Sequence, residues 1–87
     1  ATTVDALIRY RDRLRGSAKD INEQRTIDLL FRNPYLRSTD LVDRLGITLP
    51  TANRILARLE SEGIVREVTG RKRNRLYLAD GVMELLR

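Results

Sequence analysis

The sequence predicts a mainly α fold with one small β-hairpin: a helix-turn-helix followed by a basic hairpin, with an extra helix at the N-terminus. Three observations lead there. Between Ser38 and Ala79, two short amphipathic helical patterns meet at Gly46, and the second of them ends at Gly63. Two β-favourable runs follow, Ile64 to Val68 and Arg75 to Ala79. They enclose Thr69 to Asn74, a loop with three consecutive cations. At 87 residues the chain is one domain, with a core that buries roughly 60% of the unfolded surface.

Taken in order, Val4, Leu7, Ile8, Arg11 and Leu14 share a face at i, i+3, i+4 spacing. Asp5 near the start and Arg13 and Arg15 near the end complement the helix dipole, so a helix is predicted over Thr3 to Arg15. Its apolar stripe is too narrow for burial all round. Such a helix packs on the domain, pairs with a second copy of itself, or continues into a larger protein. Gly16 and Ser17 break the pattern, and Ser17 is expected to cap the next helix with Asp20 at its third helical position. Ile21, Ile27, Leu29, Leu30 and Phe31 are its apolar positions, concentrated toward the end, and the helix is best supported over Asn22 to Arg32. Pro34 stops it by excluding Asn33 from helical geometry, and Tyr35 and Leu36 suit a short extended piece.

Ser38 is expected to cap a short helix whose inner face is Leu41, Val42 and Leu45. Gly46 can adopt the left-handed conformation that closes it, Ile47 buries in the turn, and Thr48 caps the following helix with Pro50 in its first turn. At about 100° per residue, the stretch from Leu49 to Glu62 turns Ala52, Ile55, Leu56 and Leu59 to the core. Pro50, Arg54, Ala57 and Ser61 lie opposite, flanked by Thr51, Asn53 and Arg58. Gly70 and Asn74 can take positive φ in the hairpin loop. Tyr77 reads as a packing residue, and Val82, Leu85 and Leu86 as the apolar face of a short C-terminal helix.

Composition narrows the function. The chain has no Cys and no His, which removes disulfides, thiolate metal sites, imidazole bases and the nucleophilic triads built on them. The residue chemistry therefore argues against an enzyme, and neither cofactor nor metal is expected. No run reaches the length of a membrane span and no export signal is present, so a cytoplasmic location without membrane partners is expected. The net charge of +5 is localised. Residues 44 to 75 hold eight cations against three acids, while the rest of the chain balances at nine of each. A single-sign excess in one segment suits a polyanion; the alternatives are a solvated basic surface or a codon bias toward Arg.

The outward N-terminal half of the Leu49 to Glu62 helix carries hydroxyl, amide and guanidinium groups and no carboxylate. Thr48, Pro50, Thr51, Asn53, Arg54 and Arg58 are the candidate residues for the major groove of double-stranded DNA or for its phosphates, because Arg and Asn have forked groups that match base edges. Arg71, Lys72, Arg73 and Arg75 in the hairpin suit phosphates or a narrow minor groove. With aromatic residues at 5%, recognition of single strands by stacking has little support.

Helix, helix-turn-helix and basic hairpin in this order resemble a winged-helix DNA-binding domain over about residues 22 to 79. The domain itself is assigned to residues 18–87, with 1–17 as N-terminal helix and linker. The string from Glu67 to Tyr77, EVTGRKRNRLY, is similar to the wing of the C-terminal winged-helix domain in many bacterial Fic-family proteins. In that family an upstream Fic domain transfers nucleotidyl groups to protein hydroxyls through a His-containing H-P-F-x-x-G-N-G-R motif, which this chain lacks. The resemblance implies an accessory domain, with the Thr3 to Arg15 helix as the tail of its connection. Two functions stay open: double-stranded DNA binding in transcription regulation or as an accessory domain, and a regulatory protein–protein interaction module of a Fic-type nucleotidyltransferase. A homodimer is a further open partner, since two half-sites about one helical turn apart need two reading helices.

Overall fold

A computed structural model describes residues 3–87 as five helices and a three-stranded antiparallel sheet. The order is α1 (Thr3–Gly16), α2 (Ile21–Arg32), β1 (Tyr35–Arg37), α3 (Ser38–Leu45), α4 (Leu49–Ser61), β2 (Arg66–Glu67), β3 (Leu76–Leu78) and α5 (Asp80–Leu86). This is a winged helix-turn-helix architecture with an added N-terminal helix. Among the described residues no helix is long and apolar enough to cross a membrane.

The inner face of α4 lies where its periodicity puts it: Ala52, Ile55, Leu56 and Leu59 are fully buried. Leu41 of α3 and Ile27 and Leu30 of α2 complete the centre of the core. Full burial of each such aliphatic side chain contributes about 1.5–3 kcal/mol, enough to hold an eight-residue helix such as α3 that could not stand alone. Gly46 closes α3 at φ 68°, and its N–H donates to the Val42 carbonyl at 3.1 Å. Thr48 then caps α4 by accepting from the Thr51 N–H at 3.3 Å, with Pro50 in the first turn.

Two caps differ from expectation. Asp20 rather than Ser17 caps α2, accepting from the Glu23 N–H at 2.9 Å, while the Ser17 hydroxyl donates back to the Leu14 carbonyl at 2.9 Å. Ser38 is the first residue of α3 and not its cap. Pairing of Arg37 with Leu76 keeps Arg37 extended, and its N–H donates to Asp40 Oδ2 at 2.7 Å, so the helix begins immediately after it. The Ser38 hydroxyl is thereby released for another partner.

The sheet has the order β1-β3-β2. The Tyr35 to Arg37 segment pairs with β3 in the register Tyr35↔Leu78, Leu36↔Tyr77 and Arg37↔Leu76, which buries Leu36 and Tyr77. The hairpin strands are shorter than expected. Ile64 and Val65 lie in the turn that closes α4, where Gly63 (φ 75°) turns the chain and the Ile64 N–H donates to the Leu59 carbonyl at 2.9 Å.

The α1 helix packs on α2 and α5. Its inner face is Leu7, Tyr10 and Leu14, whereas Val4 and Ile8, expected on the apolar face, are exposed. Tyr10 changes the orientation: its ring sits 5.7 Å from that of Phe31 and covers Gly81 of α5. A methyl group on Gly81 would overlap the Tyr10 hydroxyl and the ring carbons beside it, so the Tyr10 ring can rest here only against glycine unless it shifts. Gly81→Ala should cost about 1–3 kcal/mol in urea denaturation. In a Tyr10→Leu background the same change should be neutral or stabilising by up to about 1 kcal/mol, because only the helix propensity remains.

Candidate nucleic-acid interface

The turn after α3 and the cap at Thr48 project the N-terminal half of α4 away from the core, beside the loop between β2 and β3. A cleft of about 660 Å³ lies between them, lined by Asn53 and Ala57 of α4, Arg37, Ser38 and Thr39, and Lys72, Arg73 and Arg75 of the loop. Thr48, Pro50, Asn53 and Arg54 are exposed on α4, and Thr51 is half-buried. The structure thus brings Asn53 together with Lys72, Arg73 and Arg75 across one groove, while Arg54, on the outward face of α4, and Arg71 lie outside its lining.

Arg58 departs from the expectation that it contacts DNA. Its guanidinium turns inward to the carboxylate of Glu23, a residue that is 1% exposed. Arg58 Nε donates to Glu23 Oε2 at 2.6 Å, and Nη2 donates to Oε1. Nη1 reaches Glu62 Oε1 at 3.1 Å, and Nη2 also reaches the Ser17 carbonyl at 3.5 Å. A buried carboxylate needs its counter-charge, and the Arg58 hydrogen bonds hold Glu23 below the ordinary carboxylate range, with help from the Lys19 N–H at 3.0 Å. Periodicity placed Arg58 on the flank of the outer face; only the approach of Glu23, 35 residues earlier, draws it in.

The localised charge divides in the same way. Arg66, next to the loop in sequence, pairs with Asp80 through two hydrogen bonds of 2.9 and 3.0 Å and so fastens β2 to the start of α5. Arg54, Arg71, Lys72, Arg73 and Arg75 are exposed and enter no ion pair among the described residues.

An acid that the charge pattern did not single out organises the loop. Glu67 accepts the Thr69 N–H at 2.8 Å, the Thr69 hydroxyl, and the Gly70 N–H at 2.8 Å. These bonds, the Thr69 hydroxyl foremost, push its pKa down to about 2. Gly70 (φ 70°) and Asn74 (φ 52°) then turn the chain as expected. Arg75 Nε donates to the Arg71 carbonyl at 2.7 Å, and Arg37 Nη1 donates to the Asn74 carbonyl, tying the loop to the entrance of α3. A threonine and a glycine two and three residues after a glutamate are the local signal for this turn. The Arg37 contact spans 37 residues and has no local signal.

Residues 19–66, more than half of the chain, match the profile of a family described as winged helix-turn-helix DNA-binding. The matched segment runs through α2, α3 and α4 and ends in β2, before the basic loop. No curated protein matches the chain.

Two outcomes follow from the paired acids. Arg58→Ala should destabilise the fold by about 3–5 kcal/mol, because it strands a buried charge, and the added change Glu23→Leu should recover most of that loss in urea denaturation. Glu67 is depressed in the folded state, so its support of the loop is complete above pH 4.5 and is lost as pH falls through about 2. The Gly70 amide shift in an NMR titration should follow that low midpoint, and Glu67→Gln should speed amide exchange at Thr69 and Gly70 while leaving α4 unchanged.

Proposed function

Because this chain belongs to the winged helix-turn-helix DNA-binding family, we propose that it binds double-stranded DNA with α4 in the major groove and the β2–β3 loop, its wing, on the adjacent backbone. The observation that carries this reading is the cleft itself, where the exposed amide of Asn53 on α4 faces Lys72, Arg73 and Arg75, which enter no ion pair among the described residues. Thr48, Pro50, Thr51, Asn53 and Arg54 form the helix side of the contact, and Arg71, Lys72, Arg73 and Arg75 the wing side. The guanidinium of Arg58 is committed to Glu23 and acts by holding α4 in place. Such an interface supports a role in transcription regulation, where a small rigid reader positions itself through phosphates and selects sequence through base edges.

The likeness of Glu67 to Tyr77 to the wing of Fic-family C-terminal domains supports a setting in which this unit accompanies a catalytic domain, with the same cationic groove addressing DNA. An upstream H-P-F-x-x-G-N-G-R segment in the native reading frame would place it there.

Binding should weaken steeply with salt, as expected when phosphate contacts release counterions. In fluorescence-anisotropy titrations with mixed duplexes, Arg71→Ala, Lys72→Ala and Arg73→Ala should each reduce the log–log salt slope by about 1. Arg15→Ala, whose guanidinium is paired with Asp28 on α2, should leave the slope as it is. No binding at low salt, or wing variants with an unchanged slope, would refute the wing's role.

A further inference from the structure

We infer that Ser38 determines which base Asn53 reads, by holding back its amide oxygen so that the side chain leads with its donors and selects guanine over adenine. This rests on the reading that α4 enters the major groove, and it concerns a residue outside that helix. Ser38 is available because Arg37 takes the extended position before α3, leaving the Ser38 hydroxyl with no capping duty. That hydroxyl donates to Asn53 Oδ1. Both residues line the cleft beside the wing, and Asn53 is exposed to whatever occupies it.

The consequence comes from the planarity of the carboxamide. Asparagine reads adenine with both ends at once, Nδ2 donating to N7 while Oδ1 accepts from the N6 amino group. In this structure one of the two lone pairs of Oδ1 accepts from the Ser38 hydroxyl, which holds the oxygen toward the start of α3 and leaves Nδ2 as the other end of the carboxamide. A group that leads with two N–H donors while its oxygen is held back by a neighbour matches the edge of guanine, whose N7 and O6 are adjacent acceptors. Against adenine it would keep one bond and set a donor against the N6 amino group. The serine therefore acts as a specificity-determining residue through Asn53, without a base contact of its own.

Selection from a randomised duplex pool tests this, with bound sequences counted for the wild type, Asn53→Ala, Ser38→Ala and Ser38→Thr. The wild type should show one position with roughly tenfold preference for guanine over adenine, a position whose preference disappears in Asn53→Ala. Ser38→Ala should admit adenine there and leave other positions unchanged, and Ser38→Thr, which keeps the hydroxyl, should restore guanine. An Asn53-dependent position that prefers adenine or cytosine in the wild type would overturn the inference, since the amide would then be presenting its oxygen. So would a profile indifferent to Ser38→Ala, or one that is flat at every position while binding persists. Absence of binding to any duplex would instead refute the DNA-binding reading itself, and the inference with it.

Discussion

The fold depends on a buried negative charge that must be neutralised. Glu23 sits at the start of α2 with its carboxylate inside the protein, and an uncompensated charge there would cost several kcal/mol. Arg58 supplies the compensation from the last turn of α4, through two hydrogen bonds to the carboxylate, and a further bond joins it to the Ser17 carbonyl in the α1–α2 linker. Apolar burial decides which face of α4 points inward, but it is non-directional and tolerates sliding. The Arg58–Glu23 fork fixes where along its axis the helix rests. Every outward side chain of α4, Asn53 and Arg54 included, is placed by that choice.

The wing solves a related problem with the opposite sign. A loop with three consecutive cations resists compaction, because like charges repel and each backbone amide still needs a partner. Glu67 supplies acceptors for the Thr69 and Gly70 amides and for the Thr69 hydroxyl, and it brings a compensating charge to the root of the loop. The Arg37 bond to the Asn74 carbonyl then holds the far side of the loop against β1 and α3. The cationic tip is exposed but anchored at both sides, so less conformational freedom remains to be lost when it meets an anion.

Exposed cations without an ion pair and cations locked into one are interleaved along the described chain, so neighbours in sequence differ in their surroundings. Arg54 is exposed and Arg58, one turn later, is locked to Glu23; Arg66 is paired with Asp80, while Arg71 to Arg73 have no acidic partner among the described residues. The +5 excess is therefore spatially tighter than the sequence count suggests. Lys72, Arg73 and Arg75 share one side of a cleft whose other side carries Asn53 and the start of α3.

Local chemistry alone determined much of this protein. The period of Ala52, Ile55, Leu56 and Leu59 is a property of one helix, the left-handed turns at Gly46, Gly70 and Asn74 are properties of single residues, and the capping of α4 by Thr48 spans three positions. Signals of that range can be read in the chain, and they were sufficient for the helix-turn-helix and the hairpin. The tertiary structure decided whatever required two distant segments to meet. It drew Arg58 from the expected interface to Glu23 and Arg66 to Asp80, shifted the start of α3 by pairing Arg37 with Leu76, and reoriented α1 through Tyr10 and Gly81. It also set Ser38 against Asn53. The reason is common to all of these: a side chain's exposure and hydrogen-bond partner depend on what packs beside it, and no periodicity within one helix contains the position of its neighbour.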